Sequence, residues 1–562
     1  MVYYIIEDEC NGCTSCANIC PTGAASGEKK KPHRIDEAVC IECGVCGKLC
    51  PQGAVRDPSG QVPQRLKRKQ WEKPFFDKQK CVGCAMCLEV CPSDCITLGT
   101  PGTKDLTAYP EITDNNAKKC VSCGFCAQAC PVDAIEMHTD DVAAEKVEQQ
   151  KMKQEKSMVW TLKKSFYRVF QIVMKYAAMI LPFPVPVLLI GSGSVKNLAE
   201  NIKARGIKNV LVVTDKVLMD LKLLDEFLAS LSEKKIQYTI FDDVQPNPTI
   251  ENVEAGRIIY KQNKCKAIIA FGGGSPIDCA KIIGARIRNP YLPVRFMKGL
   301  FRVIIPIPPM FCIPTTAGTG SETTLAAVIT NAATHEKFAI NDLKLIPKIA
   351  VLDPELMVGL PPHITSTTGM DALTHAVEAY IGQSGSAHTD ESAEYATKLI
   401  FENLEKAYND GSDMNARNNM AIASFYAGAA FTRAYVGYVH AVAHNMGGLY
   451  GVPHGLANAV ILPYVLEFCR NEAKKKIASL AVAGGLGINS DSDEILATRF
   501  IEKVKTMNKN MHIPTYIEQL KERDIPLIAK RALKEAHPLY PVPKIMTHQQ
   551  CEELVRKLLP QA

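Results

Sequence analysis

The sequence predicts a multidomain protein: small cysteine-rich modules, then an α/β domain with a mainly parallel sheet, then a domain of helices only. Three observations predict it. One cysteine pattern recurs four times before residue 131. From Pro186 short β-branched runs alternate with segments of helical periodicity, the layout of an α/β protein. After Pro361 and Pro362 no strand-like run follows, and residues 363–562 read as helix after helix. A chain of 562 residues has room for about three to five domains.

The cysteine pattern is C-x-x-C-x-x-C-x-x-x-C-P. Its copies are Cys10, Cys13, Cys16, Cys20 with Pro21; Cys40, Cys43, Cys46, Cys50 with Pro51; Cys81, Cys84, Cys87, Cys91 with Pro92; and Cys120, Cys123, Cys126, Cys130 with Pro131. Three thiolates at this spacing can wrap one corner of a cubane iron–sulfur cluster, and the fourth is aimed elsewhere. Zinc takes pairs of C-x2–4-C rather than triads. Sixteen of the 22 cysteines are used this way. The others, Cys95, Cys265, Cys279, Cys312, Cys469 and Cys551, have no metal spacing. Cys95 stands where the other copies have Ala24, Ala54 and Ala134, so a small buried residue is expected there rather than a ligand. Met1 to Glu9 has no basic region followed by a long apolar run, so no signal peptide is expected and the expected compartment is a reducing cytoplasm.

The formal charge of +6 counts the cluster cysteines as neutral thiols. Four cubanes at about −2 each bring the loaded chain near −2, so the bare figure does not point to nucleic acid. The repeats fall into pairs, giving modules at residues 1–58 and 75–140. Between them Arg56 to Pro74 reads as a linker, whose Arg65, Lys67, Arg68, Lys69 and Lys73 are expected to be solvated. Residues 141–185 are expected to be a helical linker. Asp140 to about Lys164 is rich in Glu, Lys, Gln and Met. Ser165 to Leu181 is more apolar but interrupted by Arg168, Gln171 and Lys175, and falls short of the ~20 apolar residues of a membrane span.

In the α/β domain, residues 186–360, strands are expected at Val187–Ile190, Asn209–Val213, Tyr238–Phe241, Ala267–Phe271, Val303–Pro306 and Lys348–Leu352. Gly272-Gly273-Gly274-Ser275-Pro276 follows one of them. Glycines let a pyrophosphate approach the backbone, Ser275 suits an N-cap, and a helix N-terminus supplies N–H donors. Asp215 ends another strand, where a carboxylate can take ribose hydroxyls and repel a 2′-phosphate. In the helical domain, residues 361–562, Asp371 and His375 stand at i, i+4 on one helix face, as do His440 and His444, and His454 follows. Three imidazoles and a carboxylate suit Fe²⁺ or Zn²⁺.

Two resemblances give these patterns a context. Each pair of cysteine repeats resembles a bacterial two-[4Fe–4S] ferredoxin. That resemblance implies four clusters: Cys10, Cys13, Cys16 with Cys50; Cys40, Cys43, Cys46 with Cys20; Cys81, Cys84, Cys87 with Cys130; and Cys120, Cys123, Cys126 with Cys91. Residues from about 165 to 562 resemble an iron-dependent (group III) alcohol dehydrogenase, through GGGSPIDCAK at 272–281, PTTAGTGSE at 314–322, GMDALTHAVEAY at 369–380 and HAVAHNMGGLYGVPHG at 440–455. This implies metal ligands Asp371, His375, His440 and His454. The implied cofactor residues are Gly273, Gly274, Ser275, Asp278, Thr315, Thr316 and Thr319, with Asn247 and Lys337 as further candidates and Asp215 favouring NAD(H). The implied fold is two α+β ferredoxin-like two-cluster modules, an α/β nucleotide-binding domain and an all-helical metal-binding domain, with the active site in the cleft.

The expected activity is NAD(H)-linked oxidation of a small alcohol or reduction of an aldehyde. The metal would polarise the substrate oxygen, nicotinamide would carry hydride, and His444, or solvent, would relay the proton. A cubane passes one electron and NADH passes a hydride; a flavin bridges the two, and no flavin site is recognisable. The modules are therefore expected to meet a flavoprotein, ferredoxin or hydrogenase-type partner. The alternatives are an electron-transfer polyferredoxin subunit whose dehydrogenase domain is a scaffold, and a ferredoxin-driven aldehyde reductase. A homo-oligomer and an anaerobic host are also expected.

Overall fold

The computed structural model describes residues 2–78, 80–99, 108–332 and 336–560. They form two compact units, Met1–Thr161 and Leu162–Ala562.

In the first unit, strands at the two ends of each cysteine pair zip together antiparallel: Tyr4–Ile5 with Val55–Arg56, and Lys73–Phe76 with Ile135–His138. Shorter ladders join Ala25–Ser26 to Arg34–Ile35 and Thr97–Leu98 to Pro110–Glu111. Each triad runs into a short helix, Ser15–Ile19, Val45–Leu49, Met86–Glu89 or Phe125–Gln128. In the stretch from Arg56 to Pro74, Arg65, Lys67 and Arg68 are exposed, as expected of a solvated linker, but the stretch is also packed against the modules. Its Trp71 is buried in an apolar cluster with Val45 and Val121, against which Cys43 and Cys123 pack. An indole in a basic stretch finds its apolar partners on both cysteine pairs, so the stretch fastens them together; Lys48 Nζ adds a bond to the Ser122 carbonyl at 2.9 Å.

Helix α1, Asp140–Ile180, ends in the second unit. There Arg168 donates to the carbonyls of Val542 and Pro543, and the buried Gln171 to those of Pro538 and Tyr540. On its other side Leu162, Phe166, Val169, Val173, Tyr176 and Ile180 recur at alternating steps of four and three and are all at least 60% exposed. No described helix is long and apolar enough to cross a membrane.

The α/β part carries β1 (Val187–Ile190), β2 (Asn209–Val213), β3 (Gln237–Phe241), β4 (Ala267–Gly272), β5 (Met310–Pro314), a hairpin of β6 (Ala326–Asn331) and β7 (Glu336–Asn341), and β8 (Ile349–Leu352). Six of these make one wholly parallel sheet in the order β3-β2-β4-β5-β8-β1. Both faces are buried, with alternate residues serving opposite cores: Leu211, Val213, Ile268, Ala270 and Cys312 on one side, Val210, Val212, Ile269, Phe271 and Phe311 on the other. Val303–Pro306 is not a strand. Its backbone is held by side chains, Asp342 taking the Val303 N–H and Asn289 the Ile305 N–H; the strand forms at Met310–Pro314, beyond Pro308 and Pro309, where the chain again has N–H groups to pair.

After β8 the described chain is helical: α3 (Pro362–Ile381), α4 (Ala387–Asn409), α5 (Met414–Ala434), α6 (Tyr438–Tyr450), α7 (His454–Ala483), α8 (Asp493–Asn510), α9 (Ile525–Ala536) and α10 (His548–Arg556), with α2 (Gly274–Arg288) lying earlier, after β4. Helix α3 is buried nearly all round. The start of α7 lies so close to it that a Cβ on Gly455 would stand 2.5 Å from the Thr367 carbonyl oxygen. Only glycine lets His454 approach that wall.

Candidate functional site: a metal centre beside a nucleotide-binding loop

Helix α3 places Asp371, His375 and Glu378 at successive turns of one face; α6 adds His440 and His444, and α7 opens on His454. One ligand atom each from Asp371, His375 and His440 lie within 4.8 Å of one another, and all three residues are buried. His454 Nε2 stands 3.7 Å from Asp371 Oδ1. Burial holds the His375 and His440 imidazoles down at about 4, and that of His454 well below its ordinary value. All three are therefore neutral near pH 7, with lone pairs to give.

The donor set fits a divalent cation. The Asn458 amide nitrogen is 2.6 Å from Asp371 Oδ1, 3.2 Å from His440 Nε2 and 3.1 Å from His454 Nε2. It has two hydrogens for three acceptors, and its own Oδ1 is buried without a partner, as is His375 Nδ1. A cluster of buried acceptors that outnumbers its donors is what a cation resolves.

Two carboxylates orient the imidazoles. Glu378 Oε2 accepts from His440 Nδ1 at 2.7 Å, which turns His440 Nε2 toward the cluster. Glu378 also accepts the Gly437 and Val439 N–H groups, each at 2.7 Å. Burial pushes its carboxyl up to about 7 against these donors. Glu535 Oε1 accepts from His444 Nδ1 at 2.7 Å and from the Tyr540 hydroxyl at 2.8 Å. The His444 ring stacks on His454 at 5.3 Å.

The ligand residues line a cleft that is also lined by Asn247, Gly274, Ser275, Asp278, Thr319, Lys337 and His444. The N-cap of α2 is Gly273, not Ser275, and no side chain caps the helix. Ser275 lies within the first turn, because Gly272, at φ +146°, turns the chain into the helix earlier than expected. The first N–H groups of α2 are thus left for a ligand. The Thr315 N–H bonds the Gly272 carbonyl, and a Cβ on Gly274 would meet Thr319 at 2.9 Å, so the threonine loop lies against the glycine loop. Lys337 Nζ donates to Asn247 Oδ1 at 2.8 Å. Asp278 has both oxygens engaged, by the Ser321 hydroxyl and the Val328 N–H. Asp215, Gly273, Thr315 and Thr316 are not among the cleft-lining residues. Asp215 ends β2 and caps the helix Lys216–Asp220 through Oδ1, which accepts the Leu218 N–H.

In the first unit the sixteen repeat cysteines gather in four cavities. Cys10, Cys13, Cys16 and Cys50 line one; Cys20, Cys40, Cys43 and Cys46 the next; Cys81, Cys84, Cys87 and Cys130 a third; Cys91, Cys120, Cys123 and Cys126 the last. Four thiols to a cavity is the donor set of a cubane. Cys95 lines the last cavity, is buried, and lies 3.3 Å from Cys91 Sγ. Hydrogen bonds to Cys120 and Cys91 hold the Cys95 thiol protonated, and the same bond draws Cys120 down to about 6.

Comparison with known proteins bears on both units. Residues 186–354 match the iron-containing alcohol dehydrogenase model, and residues 365–559 the C-terminal model of the same family. The 1,3-propanediol dehydrogenase of Klebsiella pneumoniae is 40% identical over 351 residues, 62% of this chain and 90% of that protein. The chain belongs to the iron-containing alcohol dehydrogenase family. The NAD-dependent methanol dehydrogenase of Bacillus methanolicus is 38% identical over 379 residues, 67% of this chain and 99% of that protein. A crystal structure of 1,3-propanediol oxidoreductase superimposes on 67% of this chain and all of its own, with a TM-score of 0.65 and 38% identity. Three 4Fe–4S dicluster models match residues 9–55, 33–98 and 80–134. This iron-containing alcohol dehydrogenase therefore carries iron–sulfur domains ahead of its family region.

Sequence reasoning missed Glu378, Glu535, Tyr540 and Asn458. Glu378 lies inside the motif at 369–380, three residues after His375, and Asn458 four after His454, so helical spacing could have found both. Glu535 lies 91 residues from His444 and carries no local signal.

Proposed function

We propose that this chain is an NAD(H)-linked, metal-dependent alcohol dehydrogenase and aldehyde reductase of small substrates, whose iron–sulfur modules exchange electrons with a redox partner. The convergence of Asp371, His375, His440 and His454 in one cleft with the bare N-terminus of α2 carries the reading. When bound, Fe²⁺ or Zn²⁺ supplies a Lewis acid for the substrate oxygen, and nicotinamide supplies or accepts the hydride. An aldehyde, NADH and a proton give the alcohol and NAD⁺.

The chain's own residues prepare that exchange. Asp371, His375, His440 and His454 hold the metal, and Glu378 fixes the tautomer of His440. The backbone at Gly273, Gly274 and Ser275 takes the pyrophosphate, with Thr315, Thr316 and Thr319 on the facing loop. Asn247, Lys337 and Asp278 line the cofactor's side. Asp215 faces the ribose hydroxyls with the carboxylate oxygen that capping leaves over, which favours NAD(H) over NADP(H). His444 moves the proton: Glu535 holds its Nδ1, leaving Nε2 to exchange with the alcohol oxygen, with solvent as the rival route. The name of the Bacillus methanolicus relative supports NAD use, and those of the relatives together support a short alcohol or aldehyde.

In the first unit the four cavities would hold four [4Fe–4S] clusters. Because Cys43 and Cys123 pack in one apolar cluster around Trp71, the inner cavity of each pair adjoins the other. That supports a single wire running from the Cys10 cavity through those of Cys43 and Cys123 to that of Cys81. Its partner is a flavoprotein, ferredoxin or hydrogenase-type protein: a flavoprotein would also convert single electrons into pairs for the hydride site, whereas a ferredoxin would only feed or drain the wire one electron at a time. The 3–4 apolar stripe of α1 supports a homo-oligomer through pairing with a second copy. A polyferredoxin with a scaffold dehydrogenase is disfavoured by the intact ligand set. The test is anaerobic NADH oxidation by the metal-loaded chain against an aldehyde panel, with and without reduced ferredoxin. Activity with NADH alone is expected; aldehyde reduction that required reduced ferredoxin and ignored NADH would overturn the reading.

A further inference from the structure

We propose that the substrate is an aldehyde, or its alcohol, bearing a carboxylate at its far end, and that Arg433 holds that carboxylate. This deepens the dehydrogenase reading and rests on it.

Arg433 sits on the last turn of α5, two residues beyond Phe431, whose ring stacks on His375 at 4.2 Å. Both line the cleft that the metal-ligand residues also line. The Arg433 guanidinium lies over the Phe183 ring, 5.2 Å from its centroid, and gives one N–H to the Phe183 carbonyl at 3.3 Å. Four of its five N–H donors have no bond of their own, and among the described residues no carboxylate pairs with it. The acids that share the cleft are committed elsewhere: Asp278 to Ser321 and Val328, Asp371 to the imidazole cluster. A half-buried cation without a counter-ion costs free energy that an anionic ligand recovers.

Tyr435 adds a second donor. It has φ +66° and ψ 175°, a conformation that is essentially glycine's, and such backbone persists where the surroundings impose it, often at ligand sites. Its ring lines the same cleft, and its hydroxyl has no protein partner among the described residues. Met174, Ala177, Leu181 and Leu539 give the same cleft an apolar wall. Such a site takes a reactive oxygen at one end, a short methylene chain along the wall, and a carboxylate bridged by the planar fork of Arg433.

The test compares butanal with 4-oxobutanoate, which has the same length and a terminal carboxylate, using the full chain loaded with metal and clusters. We expect kcat/KM about tenfold or more higher for 4-oxobutanoate, carried by KM, since one charge-assisted pair is enough for that factor. Arg433→Gln should bring the ratio of the two toward one, and Arg433→Lys should keep part of it. Butanoate should compete with butanal in the unmodified enzyme, a measurement that does not depend on the variants folding. A ratio near one in the unmodified enzyme, an unchanged ratio in Arg433→Gln, or no competition by butanoate overturns the proposal. Failure to reduce either aldehyde would overturn the dehydrogenase reading instead.

Discussion

Replacing Glu378 with glutamine tests the metal centre without touching a ligand. Oε2 accepts from His440 Nδ1 and from Gly437 N–H, and Oε1 accepts from Val439 N–H, all at 2.7 Å. Glutamine has one acceptor oxygen and one donor nitrogen. With the nitrogen at the Oε1 position it faces the Val439 N–H, donor against donor. At the Oε2 position it faces the Gly437 N–H and can satisfy His440 only by donating to Nδ1. The proton of His440 then moves to Nε2, the nitrogen that points at the cluster, and that nitrogen can no longer bind metal. Loss of such an outer partner costs about 10–100-fold in metal affinity, roughly 1.4–2.7 kcal/mol.

The assay is competition against a graded chelator on the intact, cluster-containing protein, with zinc at the mononuclear site followed by elemental analysis normalised to sulfide. Glu378→Gln should release zinc at 10–100-fold lower chelator strength, about the range for an outer-shell partner. Affinity within about twofold of the unmodified protein would refute the claim that the Glu378 carboxylate tightens the metal site through His440.

His454→Ala should abolish alcohol oxidation and leave the iron–sulfur spectrum unchanged; normal turnover would remove His454 from the ligand set. Freshly reconstituted protein should contain about 16 sulfides and 17 metals per chain, and Cys95→Ala should keep the full sulfide count; a value near 8 would mean that half the cavities hold no cluster. Asp215→Gly should narrow a preference for NAD(H) over NADP(H), measured as the ratio of kcat/KM values; equal values in the unmodified enzyme would count against its placement at the ribose. With NADH alone under argon the clusters should stay largely oxidised by electron paramagnetic resonance if, as expected, no flavin joins the two regimes; rapid reduction of flavin-free protein would overturn this.

What could be read from the sequence divides by how local its cause is. Asp371 with His375, and His440 with His444, announce themselves because four residues make about one turn, and one turn puts both side chains on one face. The cysteine triads are equally local. The carboxylate that orients His444 was not legible, because Glu535 meets His444 only after α9 has folded against α6. The central strand β5 lies at Met310–Pro314 rather than the expected Val303–Pro306, and what decides this is the neighbour β4, which pairs Ile268 with Met310 and Gly272 with Pro314. The burial of Trp71 has no local signal, because its partners Val45 and Val121 lie in different cysteine pairs.

The same packing bears on why a hydride enzyme carries cluster domains. If the two pairs were tethered by a free linker, electrons entering one would reach the other only during chance encounters. Trp71 instead lies in one cluster with Val45 and Val121, with Cys43 and Cys123 packed against it, so cysteines of two cavities share one core. If electrons cross that junction, as proposed, it serves a route with an entrance and an exit rather than four independent stores. On the same proposal the hydride site would need a group that converts single electrons into pairs before it could be the exit, which leaves the outer cavities, and a partner's surface would choose between them. The exposed Cys13 and Cys84, one in each outer cavity, mark where that choice can be made.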